Sequence, residues 1–108
     1  MDEKSAHIVV LITASSMDEA QVIGRALVDC RLAACVNIAP GLRSLFWWQG
    51  KIEDQEEVLM VVKSRGELLP SIIEAVKRLH SYTVPEVIAI PIVAGSADYL
   101  AWIDESVR

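Results

Sequence analysis

The strongest constraint on this sequence is a repeated order of strand, helix and strand. The first half reads "IVVLITA" within a strand from His7 to Ala14, then an amphipathic helical segment and "ACVNIA". The second half reads "VLMVVKS", another helical segment and "VIAIPIV". Two such units with right-handed crossovers interleave into one antiparallel sheet with both helices on one face. The sequence therefore predicts an α+β, ferredoxin-like βαββαβ fold.

Local helix signals agree with that order. Ser16 followed by Glu19 is typical of a capping box at the start of the first helix, which we expect to end near Arg31. Pro70 suits the first turn of the second helix, and Ser96 caps a short closing helix. A chain of 108 residues is the size of one domain, so we expect the whole chain, residues 1–108, to form a single domain.

The segment between the two units predicts a long β2–β3 hairpin. "LRSLFWW" and "KIEDQEEVLMVVKS" are strand-like, "QG" suits a turn between them, and the Pro40-Gly41 pair predicts a bulge or kink. The hairpin tip carries Phe46, Trp47 and Trp48, which a domain this small cannot cover. Since one face of the predicted sheet is also bare, we expect a symmetric homo-oligomer with these aromatics at its interface.

Charge and composition exclude several kinds of partner. Fifteen acidic against ten basic residues give a net charge of -5 without a cluster of Lys and Arg, so no nucleic acid is expected. No apolar stretch approaches the ~20 residues of a membrane span, and "MDEKSAH" lacks the basic region of a secretory signal. We therefore expect a cytoplasmic protein with no membrane partner. Cys30 and Cys35 lack the C-x-x-C spacing, so we expect reduced thiols.

The stretch "HSYTVPE", residues 80–86, is the main candidate for chemistry, and two interpretations are open. In the first, His80 ends a helix, Pro85 keeps the chain extended and Glu86 opens a strand. In the second, the imidazole of His80 and the carboxylate of Glu86 ligate copper, zinc or nickel, joined by a Cys35 thiolate if the strands bring it near. A cysteine in an apolar strand is, however, often a small buried hydrophobe.

Signals for catalysis are absent from the sequence. It contains no G-x-S-x-G, P-loop, G-x-G-x-x-G or H-E-x-x-H motif and no nucleophile–base pair, so we expect neither an enzyme nor an organic cofactor. "EDQEE", residues 53–57, is typical of a solvated strand end that discourages edge-to-edge aggregation. Lys63 ends an apolar strand, which favours an ammonium that reaches water.

Four segments in order, "RLAACVNI", "WWQGKIEDQEEVLMVVKS", "HSYTVPEVIAIPI" and "YLAWI", resemble the CutA divalent-cation-tolerance family from about Val9 onward. The resemblance implies a ferredoxin-like subunit and a homotrimer in which long hairpins wrap neighbouring subunits. It also implies a cytoplasmic role linked to copper and other divalent metals. The positions that match the family pattern, several of which it places at subunit clefts, are Cys35, Asn37, Trp48, Gly50, Glu57, Lys63, His80, Tyr82, Pro85 and Glu86.

Three positions depart from the family pattern. Ile12 stands where some members carry a cysteine, Leu79 where some carry a second histidine, and Ser81 where the family has a proline. With a thiol and an imidazole missing, we expect weak binding of Cu²⁺ or another divalent cation, with little selectivity for copper over zinc.

Two functions therefore stay open. The first is a non-catalytic protein of the response to metal ions, in which a divalent cation binds at subunit clefts through His80, Glu86 and Cys35. The second is a regulatory or scaffolding trimer, by analogy with the PII signalling proteins, which binds a small anionic ligand or a partner protein. Its ligand cleft would contain Lys63, Asn37, Glu57 and Tyr82.

Overall fold

The computed structural model describes residues 7–108, and its elements follow the predicted order. They are β1 (His7–Ala14), α1 (Met17–Asp29), β2 (Cys35–Trp48), β3 (Lys51–Arg65), a 3₁₀ turn (Gly66–Leu68), α2 (Leu69–Leu79), β4 (Val87–Pro91) and α3 (Ala97–Ser106). The strands form one sheet in the order β2-β3-β1-β4, and every neighbouring pair is antiparallel. This arrangement confirms the predicted α+β fold with a short C-terminal helix.

The helix ends follow the predicted signals closely. Ser16 Oγ accepts a hydrogen bond from the backbone N–H of Glu19 at 3.1 Å, which confirms the N-cap of α1. The Glu19 carboxylate accepts from the backbone N–H of Ser15 instead of Ser16, so the capping box is displaced by one residue. Helix α1 ends at Asp29, slightly before the predicted Arg31, and Pro70 lies in the first turn of α2 as predicted.

The core lies between the sheet and helices α1 and α2. Alternating residues of β1 and β3 point toward these helices, as the two-residue period of a strand requires. Each fully buried aliphatic side chain contributes roughly 1.5–3 kcal/mol relative to exposure, so this layer supplies most of the favourable free energy. Its buried side chains include Val10, Ile12, Ile23, Leu27, Met60, Val62, Ile72 and Val76.

The β2–β3 hairpin contains the predicted irregularities. The pairing runs from Cys35 with Lys63 to Trp48 with Lys51, and the register shifts between Ala39 and Leu42, which confirms the bulge at Pro40-Gly41. At the turn, Gln49 and Gly50 have φ values of 52° and 78°. Positive φ at both central residues is the geometry of a tight two-residue hairpin turn, so the "QG" prediction is confirmed.

Two apolar surfaces are left exposed by this fold. The first is the hairpin tip, residues 45–52, where Leu45, Trp47 and Ile52 are 68%, 72% and 61% exposed. The second is the face of the sheet opposite α1 and α2, where Asp104 of α3 bonds His7 and Arg65 at one end. Residues paired directly across strands share a face. The register therefore places on that face Val9, Leu11, Val61, Ile88 and Ile90. No helix within residues 7–108 is long and apolar enough to cross a membrane.

Candidate functional site

His80 is held in a closed hydrogen-bond arrangement at the end of α2. Its Nε2 lies 2.7 Å from the carbonyl oxygen of Thr13, so Nε2 donates, and its Nδ1 accepts from the backbone N–H of Tyr82 at 3.0 Å. These bonds fix the orientation of the imidazole ring, and the side chain has no exposed surface. Both ring nitrogens of His80 therefore have hydrogen-bond partners within this chain, and metal ligation by His80 stays a prediction.

Glu19 attaches the same stretch to the start of α1. Its Oε1 accepts from the backbone N–H and the hydroxyl of Ser15, each at 2.9 Å, and its Oε2 accepts from the backbone N–H of Ser81 at 2.8 Å. Burial, the largest single effect, raises the pKa of Glu19, but the bonds from Ser15 and Ser81 outweigh it and lower the pKa to about 2. The carboxylate is therefore ionised at neutral pH and fixes the position of Ser81.

Tyr82 and Glu57 connect the stretch to the hairpin. The Tyr82 hydroxyl donates to Glu57 Oε2 at 2.8 Å, and Glu57 is only 5% exposed. Burial and the neighbouring carboxylate raise the pKa of Tyr82 to about 12, so the phenol keeps its proton. The prediction of a solvated strand end is wrong at Glu57, because Tyr82 covers it. The prediction is confirmed at Asp54 and Glu56, which are exposed.

An open groove of about 1020 Å³ lies between the hairpin and residues 81–86. Arg43 in this groove is held by Asp54 through two bonds of 2.6 and 3.1 Å, so its charge is already paired. The groove brings together several of the predicted site residues, and its lining includes Phe46, Trp47, Trp48, Glu53, Glu57, Tyr82 and Glu86. It therefore presents carboxylates beside aromatic rings.

Cys35, Asn37 and Lys63 lie elsewhere, on the face of the sheet opposite α1 and α2 and near its other end. Cys35 pairs with Lys63, which pairs with Val9, whereas His80 bonds the carbonyl of Thr13, four residues further along β1. Four strand residues span about 13 Å. The Lys63 ammonium donates to Asn37 Oδ1 and lies 4.0 Å from Cys35 Sγ.

The described side chains do not form a metal site within one chain. Within residues 7–108 there is no group of three or more His, Cys, Asp or Glu side chains that could hold a metal ion. His80 is engaged at both nitrogens, the Lys63 ammonium beside Cys35 opposes a cation there, and Glu86 lies in the groove. Ile12 lies in the core beneath the helices instead of facing a cleft.

Fold and groove together define a class, a ferredoxin-like α+β protein whose candidate site is an open surface groove. The family model described as CutA1 divalent ion tolerance protein matches residues 8–106. The chain belongs to this family, as the sequence resemblance predicted.

Individual relatives agree over nearly the whole chain. The chain is 50% identical over 98 residues to the divalent-cation tolerance protein CutA of Thermus thermophilus, covering 91% of this chain and 95% of that protein. It is similar to the crystal structure of CutA1 from Oryza sativa, with a TM-score of 0.93 and a sequence identity of 40%. That match covers 99% of this chain and 98% of the rice chain. It is also similar to the structure of the periplasmic divalent cation tolerance protein CutA from Archaeoglobus fulgidus. The TM-score is 0.91 and the sequence identity is 48%, and the match covers 94% of this chain and 99% of that chain.

Proposed function

We propose that this chain is a non-catalytic divalent-cation tolerance protein that works in the cytoplasm as a homotrimer and binds divalent cations weakly at subunit clefts. The observation that carries the proposal is the large apolar surface that one chain leaves in water, at the hairpin tip and on the sheet face opposite α1 and α2. Contiguous apolar patches of this kind are typical of interfaces between subunits. Membership of the cation tolerance family supplies the cellular role.

Weak, shared metal binding is favoured by the positions of the carboxylates. Glu86 lines the same groove as Trp47 and Trp48, so assembly through the hairpin tip brings another subunit to the groove that contains its carboxylate. A cation bound there takes ligands from more than one subunit, because a single chain offers too few. Carboxylate oxygens alone discriminate poorly between copper and zinc, which agrees with the weak binding expected from the sequence.

A cytoplasmic location suits the cysteines. Cys30 and Cys35 are both free, and free thiols are the usual state of cysteines in a reducing compartment. Cell fractionation with an antibody against the native protein tests this part of the proposal, and recovery in a periplasmic fraction contradicts it.

The oligomeric state is tested by light scattering of the purified protein across micromolar concentrations. The expected mass is three times the 11.9 kDa of the chain. A stable monomer over the whole range overturns the proposal, since the exposed aromatics then have no partner.

Metal binding is tested by calorimetric titration with Cu²⁺ and Zn²⁺ at pH 7. We expect weak binding of both ions, reduced several-fold in Glu86→Gln and unchanged in Glu56→Gln, an exposed carboxylate outside the groove. Tight copper binding that survives Glu86→Gln overturns this site. In the same instrument, phosphate binding that disappears in Lys63→Ala supports the PII-like alternative instead.

A further inference from the structure

The groove between the hairpin and residues 81–86 has a nearly buried carboxylate at its base. Glu57 is only 5% exposed, and its Oε2 accepts a hydrogen bond from the Tyr82 hydroxyl at 2.8 Å. Within residues 7–108, its other oxygen, Oε1, has no hydrogen-bond partner. Every side-chain polar atom that this part of the chain buries completely does have a partner. Oε1 is therefore not sealed from solvent, and it opens on the groove that Glu57 lines.

The groove around this oxygen is negatively charged. Its lining residues include three carboxylates, Glu53, Glu57 and Glu86, and one cation, Arg43. Asp54 already pairs with Arg43 through two hydrogen bonds, so Arg43 does not neutralise the three carboxylates. A carboxylate oxygen that is almost removed from water is stabilised best by a donor that carries positive charge. The groove therefore suits a cation that can donate hydrogen bonds.

Aromatic rings beside these carboxylates favour an organic cation over a metal ion. The strand register places Phe46 directly opposite Glu53, on the same face of the hairpin as Glu57. Metal chelation needs several ligands that converge on one point, and among the described residues no group of three or more His, Cys, Asp or Glu side chains does so. A planar guanidinium needs no such convergence, because it donates to a carboxylate and stacks on a neighbouring ring.

We propose that this groove is a binding site for small guanidinium compounds. The guanidinium donates to Oε1 of Glu57 at the base of the groove and lies against the aromatic wall that includes Phe46. Glu86 adds negative charge from the other side of the groove. Tyr82 keeps its proton, because its pKa is raised to about 12, so its hydroxyl holds Oε2 and leaves Oε1 for the ligand.

The inference rests on the proposed function in one respect, namely that assembly leaves this groove as a cleft that cations can enter. It deepens that function by naming a class of ligand for the same cleft. It needs no access to the sheet face opposite α1 and α2. A site that prefers an organic cation also agrees with weak binding of metal ions.

The test is calorimetric titration of the assembled protein with butylguanidinium at pH 7. Butylurea is the matched probe, because it has nearly the same shape and no charge. We expect butylguanidinium to bind at least ~10-fold more tightly than butylurea, the size of one hydrogen bond to a charged group. The absence of any binding heat from butylguanidinium, or equal affinity for the two probes, overturns the proposal.

Two variants locate the binding. Glu57→Gln keeps an acceptor for the Tyr82 hydroxyl but removes the charge, and we expect it to weaken butylguanidinium binding roughly ten-fold. Glu74→Gln, at an exposed carboxylate of α2 outside the groove, is the control and leaves the affinity unchanged. Unchanged affinity in Glu57→Gln contradicts the site.

Light scattering checks that Glu57→Gln keeps the mass of the unaltered protein. If it does not, Glu86→Gln decides the matter, because Glu86 is exposed and its replacement disturbs no buried contact. We expect several-fold weaker binding of butylguanidinium in that variant, and unchanged affinity overturns the proposal.

The result is separable from that of the metal titration. A protein that binds Cu²⁺ and Zn²⁺ weakly but has equal affinity for butylguanidinium and butylurea refutes the guanidinium site alone. A protein that binds neither metal ion but discriminates between the two probes refutes only the metal part of the proposed function.

Discussion

The two ends of the β2–β3 hairpin are similarly apolar in sequence and opposite in environment. At its root, Val58, Met60 and Val62 are buried beneath α1 and α2. At its tip, Leu45 and Trp47 are more than two-thirds exposed. The difference shows that apolar character makes burial favourable, but only neighbouring elements decide whether the chain itself can provide it. The apolar side chains of the root are buried within the chain, whereas those of the tip are exposed and can contact a second copy of the chain.

Truncation of one apolar side chain in each region tests most directly whether the root and the tip differ in their contribution to folding. Met60→Ala leaves a cavity in the core, and we expect the free energy of unfolding to fall by about 4 kcal/mol. Ile52→Ala removes a side chain that is exposed in the single chain, so its effect should depend on protein concentration through assembly. Urea unfolding at two protein concentrations measures both. Equal losses that do not change with concentration would mean that the tip is part of the folding core.

The pH dependence of the unfolding free energy tests the same difference with two carboxylates, Glu19 near the core and Asp54 near the hairpin tip. The pKa of Glu19 is about 2 in the folded chain against an ordinary value of 4.5, so ionised Glu19 stabilises the fold above pH 4.5. That contribution, about 3 kcal/mol, is lost as the pH falls from about 4.5 to about 2. Glu19→Gln should flatten the acid side of a plot of unfolding free energy against pH.

Asp54 at the hairpin arm is the control for Glu19. Its hydrogen bond with Arg43 lowers the pKa of Asp54 as well, but both groups are open to water, which screens their interaction. Asp54→Asn should therefore change the slope of unfolding free energy against pH, on the acid side, less than Glu19→Gln does. The same slope in both variants would contradict a special role for Glu19.

Assembly should depend on the aromatics of the tip more than on its charges. Trp48→Ala is expected to weaken association by about 2 kcal/mol per subunit, because desolvated aromatic side chains dominate interface energies. Glu53→Ala, on the neighbouring strand, should cost less than about 0.5 kcal/mol, as rim charges usually do. Sedimentation over a dilution series measures both, and indistinguishable dissociation of the two variants would remove the tip from the interface.

The smallest loss of unfolding free energy is expected from Tyr82→Phe, which acts where the hairpin leaves the core. Tyr82→Phe removes the hydroxyl that donates to the buried Glu57, and we expect a loss of about 1.5 kcal/mol in unfolding free energy. Tyr99→Phe, at a more exposed ring, should lose less than half of that. Urea denaturation at pH 7 provides both values. No loss in Tyr82→Phe would show that water replaces the hydroxyl at Glu57.

Most of the fold could be predicted because its signals are local. The strand from His7 to Ala14, the caps at Ser16 and Ser96, and the "QG" turn each depend on residues within a few positions of one another. The alternation of apolar residues then fixes which face of each strand is buried. The strand order then follows from the hairpin between β2 and β3 and from the two right-handed crossovers through α1 and α2.

The site was less predictable because its contacts join distant segments. Glu57 was expected in solvent, and only the return of Tyr82, 25 residues later, buries it. The sequence left two interpretations of His80 open, and neither predicted the hydrogen bond of its ring to Thr13, 67 residues earlier. No periodicity or motif in the sequence reports such pairings. The link from Glu19 to Ser81 was missed for the same reason.

The bulge at Pro40-Gly41 has a consequence for how relatives of this chain can diverge. Between its flanking pairs β2 advances three residues while β3 advances two, so the alternation of side chains is reset there. The part of the hairpin beyond the bulge can therefore become longer or shorter without disturbing the core beneath α1 and α2. Side chains return to the same side of a strand every second residue, so the reach changes in steps of two residues per strand, about 7 Å. Any single insertion turns the indoles to the other side of the ribbon, and evolution can therefore alter quaternary geometry only in discrete lengths.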